Sequence, residues 1–142
     1  PAHDRLPTWV RVLVGVALVS MALKVFVQAT VAIPAVAVMA LTIRHYVMGF
    51  VHMNTLATMT TLLLAYALTQ GWLDVRNMMV RAGLLLVAAG IIGTELSLFI
   101  QGTLWWARWG MIPGHYMHLV IASAMIPTGV LLLLIGARST AR

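Results

Sequence analysis

Four long apolar segments, separated by shorter polar stretches, dominate the chain. They run from Trp9 to Gln28, from Tyr46 to Gln70, from Val80 to Gly102 and from His115 to Ala137. A helix needs about 20 residues to cross the ~30 Å hydrocarbon core of a bilayer, and each segment reaches that length. Lipid offers the backbone no hydrogen bonds, and the alternating pattern of barrel strands is absent. We therefore predict an all-α integral membrane protein, a single domain over residues 1–142 built as a bundle of four transmembrane helices.

A fifth apolar stretch, from Ala29 to Ile43, follows the first segment and has Pro34 near its start. As a helix it would reach only ~22 Å, which is too short to span the bilayer. A true fifth span would also move Arg76 and Arg81 to the other side of the membrane. The pattern favours a short re-entrant or interfacial segment, and part of a tilted, kinked helix is a further alternative.

The composition agrees with a membrane protein. Hydrophobic residues make up 62% of the chain and charged residues 8%, and the mean hydropathy is +0.99. The net charge of +6 comes from basic residues spread singly near helix ends, which is typical of membrane helices and argues against nucleic-acid binding. There is no cysteine, so disulfides, thiolate metal sites and thiol redox chemistry are excluded.

The basic residues divide unequally between the two ends of the predicted helices. One end holds Arg5, Arg11, Arg76, Arg81, Arg138 and Arg142, and the other holds Arg44 and Arg108, with Lys24 just inside it. Cytoplasmic ends of membrane helices carry the excess of Lys and Arg. The bias predicts a multi-pass protein with both termini cytoplasmic.

Polar side chains gather at one depth, near the less basic, outer end of the bundle. They are Lys24, Gln28, Arg44, His45, His52, Asn54, Glu95, Gln101, His115 and His118. Ionisable groups inside a bilayer cost several kcal/mol each and persist mainly where they pair, bind something or move protons. Counting at 1.5 Å per residue puts four of them, Lys24, His52, Glu95 and His118, roughly 5–10 Å below the outer helix ends. We predict one polar pocket open to the outer face.

Within this pocket we expect Lys24 and Glu95 to form a buried pair, directly or through Gln28, Gln101 or a trapped water. An unpaired charge in hydrocarbon would cost several kcal/mol. The same pair, with its histidine and glutamine neighbours, is suited to a proton relay or an ion-coupled transporter or channel component.

The histidines suggest a second kind of chemistry. A bis-histidine haem needs one neutral imidazole nitrogen on each side of the iron, and His52 with His115 or His118 could provide them from two helices. Arg44 and Arg108 could then pair with the haem propionates. Without thiolates, the histidines, His45 at the mouth included, would alternatively suit copper or zinc. A structural membrane subunit without any cofactor stays open as a third alternative.

Three strings carry a resemblance to known sequences: LKVFVQ from Leu23, RHYVMGFVHMNTLATM from Arg44 and ELSLFIQG from Glu95. Together they resemble an uncharacterised group of bacterial polytopic membrane proteins. The second string, and GHYMHL from Gly114, also resemble histidine-bearing helices of the haem–copper oxidase superfamily, although its adjacent His-His pair and cross-linked His–Tyr helix are absent.

The histidines, together with this resemblance, predict a redox or respiratory-type subunit in the bacterial inner membrane that binds haem b, or alternatively copper. His52, with His115 or His118, would be the ligands. The expected partners are the lipid bilayer and either other membrane subunits or further copies of the chain. A chain of this size would be a subunit or part of a larger protein.

Overall fold

Helices account for nearly all of the structure, a computed structural model that describes residues 7–140 and the side chains of residues 7–138. We number them α1 (Thr8–Thr30), α2 (Pro34–Thr42), α3 (Arg44–Thr69), α4 (Met78–Trp106) and α5 (His115–Thr140). No strand occurs in the described range. Four of the helices, all except α2, are long and apolar enough to cross a membrane. The predicted all-α bundle of four long helices is confirmed, and the chain is a multi-pass membrane protein.

The segment after α1 is short, as predicted. Turns at residues 31–33 lead into α2, which has Pro34 in its first turn, where proline's missing N–H costs nothing. The nine residues of α2 rise only ~13.5 Å, so this helix cannot span a bilayer. It packs against the first part of α3, and none of its residues is buried. Whether it is re-entrant or interfacial stays a prediction.

Helix α3 changes its geometry part-way along. Arg44–His52 is α-helical, Met53–Thr60 forms a π-helix, and Thr61–Thr69 is α-helical again. The hydroxyl of Thr58 donates to the carbonyl of Met53 at 3.2 Å, five residues back, and so satisfies an acceptor of the widened turn. Segments of π-helix are rare and are frequent at functional sites. This one begins directly after His52.

The pair α4–α5 is the most closely packed part of the bundle. A Cβ added to Gly129 would lie 2.8 Å from the carbonyl oxygen of Gly83, and one added to Gly90 would lie 2.8 Å from that of Ala122. The two backbones therefore touch, as small residues allow in membrane helices. Apolar side chains buried around this contact belong to the core, namely Val80, Leu84, Val87, Ile91 and Leu133.

Helix α1 joins the bundle through its first half only. Val10, Leu13 and Ala17 are its buried residues, and they pack against the π-helical and final parts of α3. From residue 18 to residue 30 no residue of α1 is buried. A mainly apolar cavity of about 740 Å³ lies beside the second half of α1. It is bounded by α1, α2, α3 and Phe99 of α4.

The two ends of the bundle differ in their residues. We call the end formed by the start of α3, residues 107–114 and the start of α5 the histidine end, because His45, His115 and His118 lie there. The opposite end carries Arg11, Arg76, Arg81 and Arg138, while Arg5 and Arg142 lie outside the described residues. The side of the membrane that each end faces stays a prediction.

Candidate functional site

Helices α3 and α4 run antiparallel with a register that two contacts define. The hydroxyls of Tyr46 and Thr103 lie 3.1 Å apart, and a Cβ added to Gly49 would lie 3.1 Å from the ring of Phe99. His52 lies roughly 4.5 Å beyond Gly49 along α3, and Glu95 lies roughly 6 Å beyond Phe99 in the same direction along α4. The register therefore places His52 and Glu95 at one level of adjacent helices.

Both of these side chains carry buried polar atoms that have no partner. Neither carboxyl oxygen of Glu95 accepts a hydrogen bond, and Nδ1 of His52 makes none. Buried polar groups in proteins are nearly always paired, and an exception calls for an explanation such as an ion, a water molecule or a catalytic role. Two unpaired groups at one level, next to a π-helix, are the strongest indication of function in the described chain.

A third group of this kind lies nearer the histidine end. His115, the first residue of α5, is only 2% exposed. Its Nδ1 lies 3.2 Å from the hydroxyl of Ser97 on α4, so that this contact sets the orientation of the ring. Its Nε2 is buried and has no partner. The imidazole is thus held in place with one free nitrogen.

A cleft of about 360 Å³ opens beside His115, between α4 and α5. Ser97 and His118 line it together with apolar and small residues, namely Ala89, Gly93, Ile112, Ile121, Ala122 and Met125. The Ser97–His115 contact and a close approach of Gly93 to Ala122 fix the register of α4 against α5, and Glu95 then lies level with His118. Glu95 itself does not line the cleft, whose polar groups are Ser97, His115 and the exposed His118.

His45 on α3 completes the histidine group. Its ring contacts that of His115 edge to face, with the centroids 5.5 Å apart and the planes at 63°. Arg44 and Arg108 are exposed at the same end, and Arg108 has a left-handed backbone with φ of 60°. The predicted role of the two arginines in binding propionates stays a prediction.

The predicted pair between Lys24 and Glu95 is absent from the structure. The half-buried Lys24 lies on the second half of α1, which has no buried residue. Helix α1 packs mainly on α3. Because both Glu95 oxygens lack a partner, neither a direct bond nor a bridge through Gln28 or Gln101 exists, and the link through a trapped water stays a prediction. The exposed Gln28 instead lines the apolar cavity beside α1. Equal depth does not make two residues neighbours when their helices do not pack together.

Gln101 has a different role from the one predicted. It is fully buried, its amide donates to the carbonyl of Gly110 at 3.2 Å, and its side-chain oxygen accepts from the N–H of Ile112 at 3.0 Å. Both ends of the amide are thus used to hold the connection between α4 and α5. These two bonds fix the start of α5 at His115, so Gln101 positions the site without being part of it.

Ser97 was missing from the sequence-based set. A single serine in an apolar helix carries no signal of its own, since its hydroxyl can bond to its own backbone. Its position two residues after Glu95 gave no hint either, because residues two apart do not face the same side of a helix.

Metal binding can be judged from the donor groups present. In the range that the structure describes, no group of three or more His, Asp or Glu side chains is placed to hold a metal ion. The two imidazoles in ring contact are those of His45 and His115, whereas the predicted haem ligands were His52 with His115 or His118. Ring contact leaves no room for a macrocycle between His45 and His115. Ligation of haem by His52 and a histidine of α5 stays a prediction.

Comparison with protein-family models, with curated proteins and with solved structures finds no match to this chain. The resemblance to haem–copper oxidase helices rests on the short strings alone, and the site has to be interpreted from its own geometry.

Proposed function

We propose that the chain is a proton-binding subunit of a larger membrane assembly, in which Glu95 and His52 exchange protons with the histidine end. The observation that carries the proposal is the pair of unpartnered buried groups at one level of α3 and α4. Carboxyl and imidazole groups inside membrane bundles are the usual components of proton relays. This is the transport alternative of the sequence analysis with His52 in the place of Lys24.

In this proposal protons enter at the histidine end. The cleft between α4 and α5 is lined by Ser97 and the exposed His118 and extends along α4 to the level of Glu95, although Glu95 is not part of its wall. Hydroxyl and imidazole groups can pass protons along hydrogen bonds, so the cleft supports exchange with water at the histidine end. In the orientation that the charge bias predicts, that water is on the outer face.

The half of the bundle between Glu95 and the opposite end offers no further titratable group for proton transfer in the described parts of α3, α4 and α5 before the terminal turns. That described range contains no Asp, Glu, His, Lys or Arg. The buried hydroxyls of Thr58, Thr61 and Thr94 all donate to carbonyls of their own helices. A proton taken up at Glu95 must therefore return or pass to another subunit, which is why we place the chain in an assembly.

A second candidate is the redox subunit with haem b that the sequence suggested. The free Nδ1 of His52 favours it, because a ligating imidazole needs a nitrogen that is not engaged elsewhere. The absorption spectrum of the protein purified from its own membrane tests this candidate. A haem band that disappears in His52→Ala would support it, and a colourless, metal-free preparation would leave proton binding as the function.

Chemical labelling tests the proton-binding proposal. Glu95 is the only glutamate, and Asp4 and Asp74 are the only aspartates, so a lipid-soluble carbodiimide has one carboxyl within the spanning helices to modify. We expect labelling at Glu95 that falls as the pH rises, because the reagent requires a protonated carboxyl. Glu95→Gln should abolish the label, and the matched variant Asp74→Asn should leave it unchanged.

Infrared difference spectra between acidic and alkaline buffer give an independent measurement. We expect a carboxyl C=O band that is lost in Glu95→Gln and displaced in His52→Ala, since His52 lies at the same level. A native protein that neither takes the label in acid nor shows this band would refute the proposal.

A further inference from the structure

The cleft between α4 and α5 is polar at one end and apolar at the other. Its polar lining residues, Ser97, His115 and His118, lie at the histidine end. Toward the middle of the bundle, as far as Ala89 and Met125, its walls are apolar or small. His115 is 2% exposed and its Nε2 has no partner, which calls for an explanation in a buried group. The cleft is therefore amphipathic, with a free imidazole nitrogen at its polar end.

The depth of the cleft matches one leaflet of a bilayer. On α5 its lining runs from His115 to Met125, and about ten residues of helix rise roughly 15 Å. This is about half of the ~30 Å hydrocarbon core, which is the depth that the acyl chains of one leaflet fill. Exposed Trp105, Trp106 and Trp109 lie at the histidine end, and tryptophan is enriched at the level of the lipid headgroups. The polar end of the cleft thus lies near the headgroups and its apolar end near the bilayer centre.

The charges around the polar end favour an anionic occupant. Arg44 and Arg108 are exposed at the histidine end, and Arg108 lies in the connection that supplies Ile112 to the cleft wall. Among the described residues the carboxylates are those of Asp74, at the opposite end, and Glu95, which does not line the cleft. The positive charge is therefore not offset by an acidic side chain of the cleft, and it attracts a negatively charged headgroup.

The size of the cleft restricts the occupant to a slender chain. Its volume is about 360 Å³. A partner helix ~10 Å across and ~15 Å long would need roughly 1,200 Å³. A free anion would fill only the polar end and leave the apolar part empty. An acyl chain that hangs from an anionic headgroup fits both parts, because it runs from the headgroups to the bilayer centre as the cleft does.

We propose that the cleft binds one acyl chain of an anionic phospholipid, whose headgroup region contacts His115 and His118 beside the positive charge of Arg108. The site is independent of the proton-binding proposal, because neither Glu95 nor His52 lines the cleft. Since that proposal gives protons the same cleft, a bound lipid would control their access by covering it.

Native mass spectrometry of the full chain tests the lipid site. The detergent-purified protein is incubated with equal amounts of phosphatidylglycerol and phosphatidylcholine that have identical acyl chains, and we expect one phosphatidylglycerol to be retained per chain. Ala89→Phe fills the apolar end and should lower this retention at least 10-fold. The matched variant Ala124→Phe, at an exposed alanine of α5 that does not line the cleft, should bind as the parent does. Circular dichroism checks that both variants, which alter exposed positions, keep the fold.

Three further variants separate the headgroup contacts from the proton site. His115→Phe keeps the shape of the ring without its nitrogens and should lower retention about 2- to 10-fold, the effect of one hydrogen bond. Arg108→Asn places a residue that tolerates the left-handed backbone at φ of 60°, and it should lower the preference for phosphatidylglycerol about 5-fold. Glu95→Gln should retain the lipid as the parent does, so a failure of the proton-binding proposal leaves this test unaffected.

Several results would overturn the lipid site. They are equal retention of the two lipids by the parent, and Ala89→Phe, His115→Phe or Arg108→Asn without effect. Displacement of the lipid by inorganic phosphate would assign the polar end to a free anion, and displacement by equimolar oleate would assign the cleft to a free fatty acid. A lipid-free dimer that Ala89→Phe disrupts would show that a second copy of the chain covers the cleft.

Discussion

The two halves of the α4–α5 pair are packed in different ways. Toward the opposite end, Gly83 and Gly129 bring the backbones into contact, and the apolar side chains of Val80, Leu84, Val87 and Leu133 form the core around them. Toward the histidine end, the same two helices hold Ser97, His115 and a cleft of about 360 Å³. Dispersion contacts thus hold the pair together at one end, and unpaired polar groups collect at the other. The candidate functional groups therefore lie where α4 and α5 are packed less closely.

The largest effect should come from filling the tight half. In Gly129→Ala the new Cβ would lie 2.8 Å from the carbonyl oxygen of Gly83 and 2.9 Å from the backbone nitrogen of Val87, so a helix must move. We expect a loss of about 1–3 kcal/mol in the free energy of unfolding, measured by denaturant titration in detergent. Gly15→Ala is the control, because nothing lies within 4 Å of its added Cβ. Equal stability of the two variants would show that α4 and α5 are not packed backbone to backbone.

A smaller loss should follow from releasing the connection at the histidine end. Gln101→Leu removes the bonds to the carbonyl of Gly110 and the N–H of Ile112, two part-buried hydrogen bonds, which costs about 1–2 kcal/mol. Hydrogen exchange should increase at residues 110–112 and at the first turn of α5, and remain unchanged around Gly83. Gln28→Leu, at an exposed glutamine, should alter neither quantity. Faster exchange across the whole bundle would mean that Gln101 stabilises the fold globally.

The smallest expected effect is a coupling close to zero between Lys24 and Glu95. Since Glu95 has no partner and α1 packs mainly on α3, the stability changes of Lys24→Met and Glu95→Met should add within about 0.5 kcal/mol. Glu95→Met alone should stabilise the protein, because it removes an unpaired buried carboxyl. A double-mutant cycle measures the coupling. A coupling above 1 kcal/mol would show that Lys24 and Glu95 interact, as the sequence suggested.

Hydropathy was enough to predict the architecture. The predicted spans agree with α1, α3, α4 and α5 to within about four residues at each end, because long apolar runs have few alternatives in lipid. Counting residues also placed His52, Glu95 and His118 at a common depth, in agreement with the register of the helices.

The sequence could not predict which residues contact each other across the helices. Depth along a helix says nothing about which helices touch, so Lys24 was matched with Glu95 although α1 packs mainly on α3. Gln101 was predicted as a bridge between Lys24 and Glu95, because its bonds to Gly110 and Ile112 depend on how the connection between α4 and α5 folds back. The depth count treated α3 as a regular α-helix, and the π-helix from Met53 departs from that geometry directly after His52.

The π-helix also bears on how the chain tolerates changes in length. A π-helical turn holds more residues than an α-helical one, so Met53–Thr60 corresponds to an insertion that the fold has already absorbed. Removal of one residue there can be accommodated by tightening toward α-helical geometry, with the two flanking parts of α3 kept on their present faces. Removal of one residue within α4 has no such reserve, and it would rotate Glu95 and Ser97 away from their neighbours by about 100°. Helix α3 can therefore accommodate the loss of one residue beside the site, whereas α4 cannot.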